Sequence, residues 1–187
     1  MITRYTADQL VGTAADAIRA GRDGFQDLLE AIPAAVYVTD PEGTLTWYNQ
    51  ACVALAGRTP RVGEDKWCIT WKLFTTEGAP LPHERCPMAE ALRAQAPVRD
   101  VEAVAERPDG SRIRLVPFPT PLFDREGRFA GAVNLLLDVS RERTPAELLD
   151  RAERCRRLAA EIDDREATAA LALIAARYEE QARKLEN

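Results

Sequence analysis

The segment Phe129 to Val139 constrains this chain more than any other stretch. Read as a strand, it places Val133, Leu135, Leu137 and Val139 on one side and Ala132, Asn134 and Leu136 on the other. A strand with one wet face alternates apolar with polar residues, whereas one that is apolar on both faces lies between two layers. The sheet holding this strand must therefore be covered on its outer face, by a flanking helix or by a second subunit. Asn134 is the polar exception. Turned inward, it needs a partner from protein, water or ligand.

The rest of the middle zone reads mostly as strands. Ala34 to Thr39 is a short apolar strand, and Asp40-Pro41-Glu42-Gly43 is a turn that sends it back as Thr44 to Tyr48. Asn49 stands where it can cap a helix over Gln50 to Ala56, which Gly57 stops. An irregular stretch, Arg58 to Pro82, carries Trp67, Trp71 and a turn at Glu77-Gly78. A helix is expected from Cys86 to Gln95, with Pro87 in its first turn. Strands follow over Val101 to Glu106 and from Arg112, joined by Arg107-Pro108-Asp109-Gly110. Asp124-Arg125-Glu126-Gly127 then leads into the Phe129 strand.

Helical periodicity flanks this zone. Thr6 and Gln9 have capping-box spacing. Leu10, Ala14, Ala17 and Ile18 share a face, and after Gly21 and Gly24 a second helix carries Phe25, Leu28, Leu29 and Ile32 up to Pro33. At the other end Thr144 and Pro145 open a helix with Leu148, Ala152, Cys155, Ala159 and Ile162 on one stripe. A second stripe, Ala167 to Leu185, follows Asp163-Asp164. The two stripes form either one long coiled coil or an antiparallel hairpin, and the polar pair, able to cap a new helix, favours the hairpin. The organisation is a helical cap at 1–24, a domain at 25–143 and a helical extension at 144–187.

Several function classes drop out. The net charge is −5 with both signs interspersed, so no direct nucleic-acid partner is expected. No apolar run is long enough to span a membrane and Met1 to Leu10 holds no signal-peptide stretch, so a cytoplasmic location without membrane attachment is expected. The four cysteines, Cys52, Cys68, Cys86 and Cys155, fit no zinc or C-x-x-C pattern and read as buried free thiols. With one histidine and no Gly-rich phosphate loop, no catalytic residues and no metal site are expected.

The order strand, Asp-x-x-Gly turn, strand, helix, irregular part, helix and three antiparallel strands resembles the PAS domain. The resemblance rests on Ile32 to Gly43, on Trp47-Tyr48-Asn49-Gln50-Ala51, on Arg107 to Ser111 and on Gly131 to Ser140, and it covers about residues 25–143. It implies an α+β fold: a five-stranded antiparallel sheet with flanking helices and a pocket between them. It further implies a module that senses small ligands or redox state, or that dimerises, and that signals through its terminal helices. Asp138-Val139-Ser140-Arg141-Glu142 is similar to the family's junction before an output helix, which makes Asp138 and Arg141 the expected signal junction. Trp71-Lys72-Leu73, with Gly78 to Pro87, resembles PAS domains of bacterial sensor kinases, but the kinase part is absent, which points to a stand-alone regulator. The Asn-Cys-Arg motif of flavin photoreceptor relatives is missing, so flavin is not expected.

Candidate pocket residues are Trp67 and Trp71 as an aromatic wall, His83 and Cys86 at a helix start, and Asn134. Packing alone accounts for each. The sharper reading of His83 and Cys86 is a haem ligand, kept as a minor alternative. Leu10, Phe25, Leu28, Leu29, Leu135 and Leu137 are the expected dimer and interaction residues. The resulting expectation is a homodimeric sensor or adaptor that engages another regulatory or signalling protein, with a ligand-free dimerisation scaffold as the alternative.

Overall fold

The computed structural model describes residues 4–20, 25–140, 145–161 and 165–186. Its helices are α1 (Arg4–Ala20), α2 (Phe25–Ala31), α3 (Gln50–Ala56), α4 (Pro87–Ala94), α5 (Pro145–Glu161) and α6 (Arg165–Glu186). Its strands are β1 (Ala35–Thr39), β2 (Leu45–Tyr48), β3 (Lys72–Phe74), β4 (Ala103–Glu106), β5 (Arg112–Pro117), β6 (Thr120–Phe123) and β7 (Phe129–Asp138). All paired strands are antiparallel, in the order β2-β1-β7-β5-β4-β3, with β6 also on β7.

This is the expected α+β sheet with two additions. The strand after the Arg107–Gly110 turn is broken into β5 and β6, and β3 adds an edge beyond β4. The break has a chemical cause. Pro117, Pro119 and Pro121 remove the amide donor at alternate positions, hence along one edge. Phe118, between two of them, turns its N–H toward β7, where the Leu135 carbonyl (2.9 Å) and Asn134 Oδ1 (3.0 Å) both accept it. On the donor-free edge the Pro119 carbonyl accepts from Arg99 Nη1 at 2.8 Å, and Arg99 also pairs with Asp8 of α1.

β7 lies between two separate apolar clusters, as its composition requires. Ala132 and Leu136 face an inner cluster with α3 and α4, through Leu55, Met88 and Leu92. Val133, Leu135 and Leu137 face an outer cluster that takes in Leu10 and Val11 of α1, Leu148 of α5 and Leu171 of α6. The outer face is thus covered by the chain's own terminal helices. α5 and α6 run antiparallel: Thr168 Oγ1 donates to the Ala159 carbonyl at 3.4 Å and Arg156 pairs with Glu179. That is the hairpin and not the continuous coil. The Thr144 cap and the Asp163-Asp164 break lie outside the described residues.

Two caps differ from expectation. α1 already runs from Arg4, so Thr6 and Gln9 are inside the helix and not at a capping box. Asn49 holds the N-cap position of α3 without a side-chain cap bond. The Glu30 carboxylate takes that role, accepting Gln50 N–H at 3.0 Å. The Asn49 side chain is fully buried and stitches α2 to β1. Its Oδ1 accepts Val36 N–H at 3.0 Å, and its Nδ2 donates to the carbonyls of Leu29, Ile32 and Ala34 at 3.1, 3.4 and 2.8 Å. The turn aspartates do what their positions imply: Asp40 Oδ1 accepts Thr44 N–H at 2.7 Å and Asp109 Oδ1 accepts Ser111 N–H at 2.8 Å.

Candidate functional site

The inner face holds a buried polar and sulfur cluster supplied by three places in the chain. The first is the loop before β3. Arg58 anchors it by pairing with Asp65 and by donating from Nε to the Ile69 carbonyl at 3.0 Å. The Trp67 N–H donates to the Gly43 carbonyl at 2.7 Å, which ties the loop to the β1–β2 turn. Trp67 adopts φ 61°, a left-handed backbone that costs a side-chain-bearing residue about 1 kcal/mol. The result is that the Trp67 carbonyl points inward, while its ring lies against Gly43, where a Cβ would stand 2.3 Å from the indole Cδ1.

That carbonyl is the hub. Tyr37 of β1 donates its phenol hydroxyl to it at 2.9 Å, and the Cys86 thiol lies 3.9 Å away. Asn134 Nδ2 of β7 donates in turn to the Tyr37 hydroxyl at 2.9 Å, while its Oδ1 takes the Phe118 N–H. Asn134 therefore finds its partners within the protein. A continuous hydrogen-bonded chain runs from Trp67 through Tyr37 and Asn134 to the backbone of Phe118, whose ring is buried in the outer cluster.

Cys68 and Cys86 are both buried: Cys68 Sγ lies 3.1 Å from Thr70 Oγ1, and Cys86 Sγ lies 3.9 Å from the carbonyl of Trp67, the peptide group that leads into Cys68. The neighbouring Cys86 thiol holds Cys68 below the usual thiol range against its burial, with the charge of His83 and the Thr70 hydroxyl helping. Cys86 moves the other way, well up, first through Cys68 beside it and then through burial. Burial also raises the Tyr37 phenol, and the neighbouring Cys68 and Cys86 add to it. His83 Nε2 is buried with no hydrogen-bond partner. The remaining cysteines differ. Burial pushes Cys155 up to about 11 and Cys52 higher still, and Cys52 donates to the Val36 carbonyl at 3.2 Å.

Of the pocket residues expected from sequence, Trp67, His83, Cys86 and Asn134 meet at this cluster, Trp67 through its carbonyl. Trp71 does not. The residue is 44 % exposed, with Lys72 Nζ 4.0 Å from its ring centre, because it precedes an edge strand. The two tryptophans form no common wall. Cys68, Tyr37 and Thr70 were not expected; a spacing of 18 residues between Cys68 and Cys86 carries no signal until the loop and the start of α4 are packed together.

The expected interaction leucines need a similar correction. Leu10, Leu29, Leu135 and Leu137 are buried within the chain's own outer cluster, because the terminal helices cover the face that a second subunit could have taken. Leu28 is half-buried on α2, and Phe25 opens that helix with its side chain outside the described residues. At the junction, Asp138 Oδ1 accepts Ser140 N–H at 2.9 Å, and Ser140 Oγ accepts Arg114 N–H at 2.7 Å. Asp138 thus closes a local turn that is pinned to β5. Arg141 lies outside the described residues. Among the described residues no group of three or more His, Cys, Asp or Glu is placed to hold a metal ion, and no helix is long and apolar enough to cross a membrane.

A family model described as the PAS fold matches residues 29–144. No curated protein matches the chain. Among solved structures, the chain is similar to a light-oxygen-voltage (LOV) protein of Rhodobacter sphaeroides, at 17 % identity and TM-score 0.48 over 94 % of this chain and 98 % of that one. It is similar to a PAS domain from Colwellia psychrerythraea, at 17 % identity and TM-score 0.42 over 61 % and 92 %. A LOV domain from a blue-light activated histidine kinase of Erythrobacter litoralis matches at 20 % identity and TM-score 0.41 over 59 % and 99 %.

Proposed function

Because this chain belongs to the PAS fold family, we propose that it is a non-enzymatic sensory module whose inner cluster is the input and whose terminal helices are the output. One observation carries the reading. β7 is shared by both layers, so Asn134 joins the inner hydrogen-bonded chain while its neighbours Val133 and Leu135 pack in the cluster of α1, α5 and α6. A change at the Trp67 carbonyl reaches Phe118 and β7 through Tyr37 and Asn134, and shifts the balance between arrangements of the terminal helices.

The module works as a homodimer in the cytoplasm and presents the outer surface of its hairpin to another signalling protein, without direct contact to nucleic acid or membrane. Support comes from Leu149 and Leu173, which expose 46 % and 56 % of their surface on α5 and α6, while Leu148, Leu171, Ile174 and Tyr178 are buried. The thiol-lined inner cluster gives no support to haem, since His83 sits beside two sulfurs closed in by Tyr37 and the Trp67 carbonyl.

The test is hydrogen–deuterium exchange on the full chain with Asn134→Leu, which keeps the volume and removes both bonds. Faster exchange in α1, α5 and α6, beyond β7 itself, is expected. Exchange confined to β1, β7 and the Trp67 loop would show that the inner cluster does not speak to the helices. Light scattering reports the subunit count in the same samples, and a monomer would overturn the dimer.

A further inference from the structure

Four cysteines are buried in this chain, but only two of them are built into a reactive arrangement. Cys68 and Cys86 come from separate segments and lie in one buried cluster. Cys86 immediately precedes the first residue of α4, and its sulfur lies 3.9 Å from the Trp67 carbonyl, the peptide group that leads into Cys68. Thr70 supplies a hydroxyl to Cys68 at 3.1 Å, and the unpartnered Nε2 of His83 lies buried beside them. A thiol that only fills space needs none of this. Cys155 shows the contrast, packed among the apolar side chains of the outer cluster. A hydroxyl and a neighbouring histidine are groups that stabilise a thiolate, and a second thiol in the same cluster is what resolves an oxidised one.

We propose that Cys68 and Cys86 are a hydroperoxide-reactive dithiol that closes to a reversible disulfide and so forms the input of this module. In the first step the Cys68 thiolate attacks one oxygen of the hydroperoxide. An S–O bond forms, the O–O bond breaks, and the departing oxygen takes a proton from water and leaves as an alcohol, or as water when hydrogen peroxide is the oxidant. Cys68 is now a sulfenic acid. In the second step the Cys86 sulfur attacks the Cys68 sulfur, the S–S bond forms, the S–O bond breaks, and the hydroxyl leaves as water with the Cys86 proton. Two thiols have lost two electrons, and the hydroperoxide has gained them. His83 is a positioning residue that favours the thiolate by its charge.

The consequence for the fold is local and specific. The disulfide removes the Cys86 thiol proton that is directed at the Trp67 carbonyl, and it draws the Trp67–Cys68 segment toward the start of α4. The same carbonyl holds Tyr37, and through it Asn134. This part of the inference rests on the proposed route to the terminal helices; the disulfide chemistry does not.

The experiment uses the full chain, freed of reductant and exposed to stoichiometric hydrogen peroxide, then alkylated under denaturing conditions and analysed by peptide mass spectrometry. A cross-linked peptide pair joining Cys68 to Cys86 is expected, reversed by dithiothreitol, with Cys52 and Cys155 still alkylated. Cys86→Ser should stop at a sulfenic acid on Cys68 that dimedone traps, and the rate in His83→Gln should fall several-fold with its pH profile shifted upward. The inference is overturned if the wild-type chain forms no such pair, or if Cys52 or Cys155 oxidises as fast as Cys68. Hydrogen exchange of the oxidised chain separates the two readings: a disulfide with unchanged α1, α5 and α6 leaves the dithiol standing and removes the transmission route.

Discussion

The two faces of the sheet are held by different chemistry. The outer face is a continuous apolar seam, in which α1 and the α5–α6 hairpin bury leucine, valine and alanine side chains against β7. The inner face is also apolar for the most part, but hydrogen bonds run through it: Asn49 to four backbone groups, Tyr37 and Cys86 to Trp67, Asn134 to Tyr37 and Phe118, and Cys68 to Thr70. An apolar seam is non-directional and tolerates sliding. A buried polar network has one satisfied geometry, and departures from it expose unpaired groups to a medium that cannot solvate them. The inner face therefore defines a state, and the outer face is free to answer when that state changes.

The comparison is sharpest at Asn49. Asn49→Leu keeps the volume but leaves Val36 N–H and the carbonyls it served unpaired inside the protein, and a loss of about 4 kcal/mol is expected in urea unfolding. A loss no greater than a surface substitution gives would mean that the inner polar network does not set stability. On the outer face Leu135→Ala opens a cavity beneath the terminal helices, with an expected cost of about 3 kcal/mol and an unchanged inner network. Altered reactivity of Cys68 in that variant would break the separation of the faces.

A third effect is in pH. The folded Cys68 thiol titrates below the value of about 8.5 that an unfolded thiol has. Between these values the unfolded chain holds the extra proton, so stability climbs with pH. The gain is complete above the unfolded value and is lost as pH falls through the depressed folded value. The raised thiols Cys52, Cys86 and Cys155 act only above about 8.5, where the unfolded chain sheds protons that the fold retains and stability turns down. Chemical unfolding across this window should show a rise of less than one proton that disappears in Cys68→Ser and persists in Cys155→Ser. An equal rise in all three proteins would assign it elsewhere.

Much of the fold was legible because it is written locally. The two-sided apolar pattern of β7, the aspartate–glycine turns and the helical stripes each need only a short window of sequence. β6 was missed because three prolines hide a strand that keeps its donors on one edge, and β3 because three residues are too few to show a period. The site was legible only in pieces. His83, Cys86 and Asn134 stand out as residue types, but Cys68 becomes their partner only through the packing of a loop on a helix start. Periodicity marked Leu10, Leu135 and Leu137 as apolar without saying what covers them; the cover turned out to be the chain itself. Asn49 looked like a cap because its position is a cap position, while its side chain serves a longer-range bond.

The contact between Gly43 and the Trp67 ring has a consequence for how such a sequence can drift. Hairpin tips ordinarily absorb insertions and substitutions with little penalty. Here the tip is the floor on which an indole rests, with no space for even a methyl group. Positions 43 and 67 can therefore change only together, the glycine gaining a side chain as the tryptophan gives way to something smaller. Lengthening the turn would move the segment that carries Cys68 away from Cys86. In any set of relatives that keep both thiols, the β1–β2 turn should be fixed in length, and the glycine and tryptophan should be inherited as a pair.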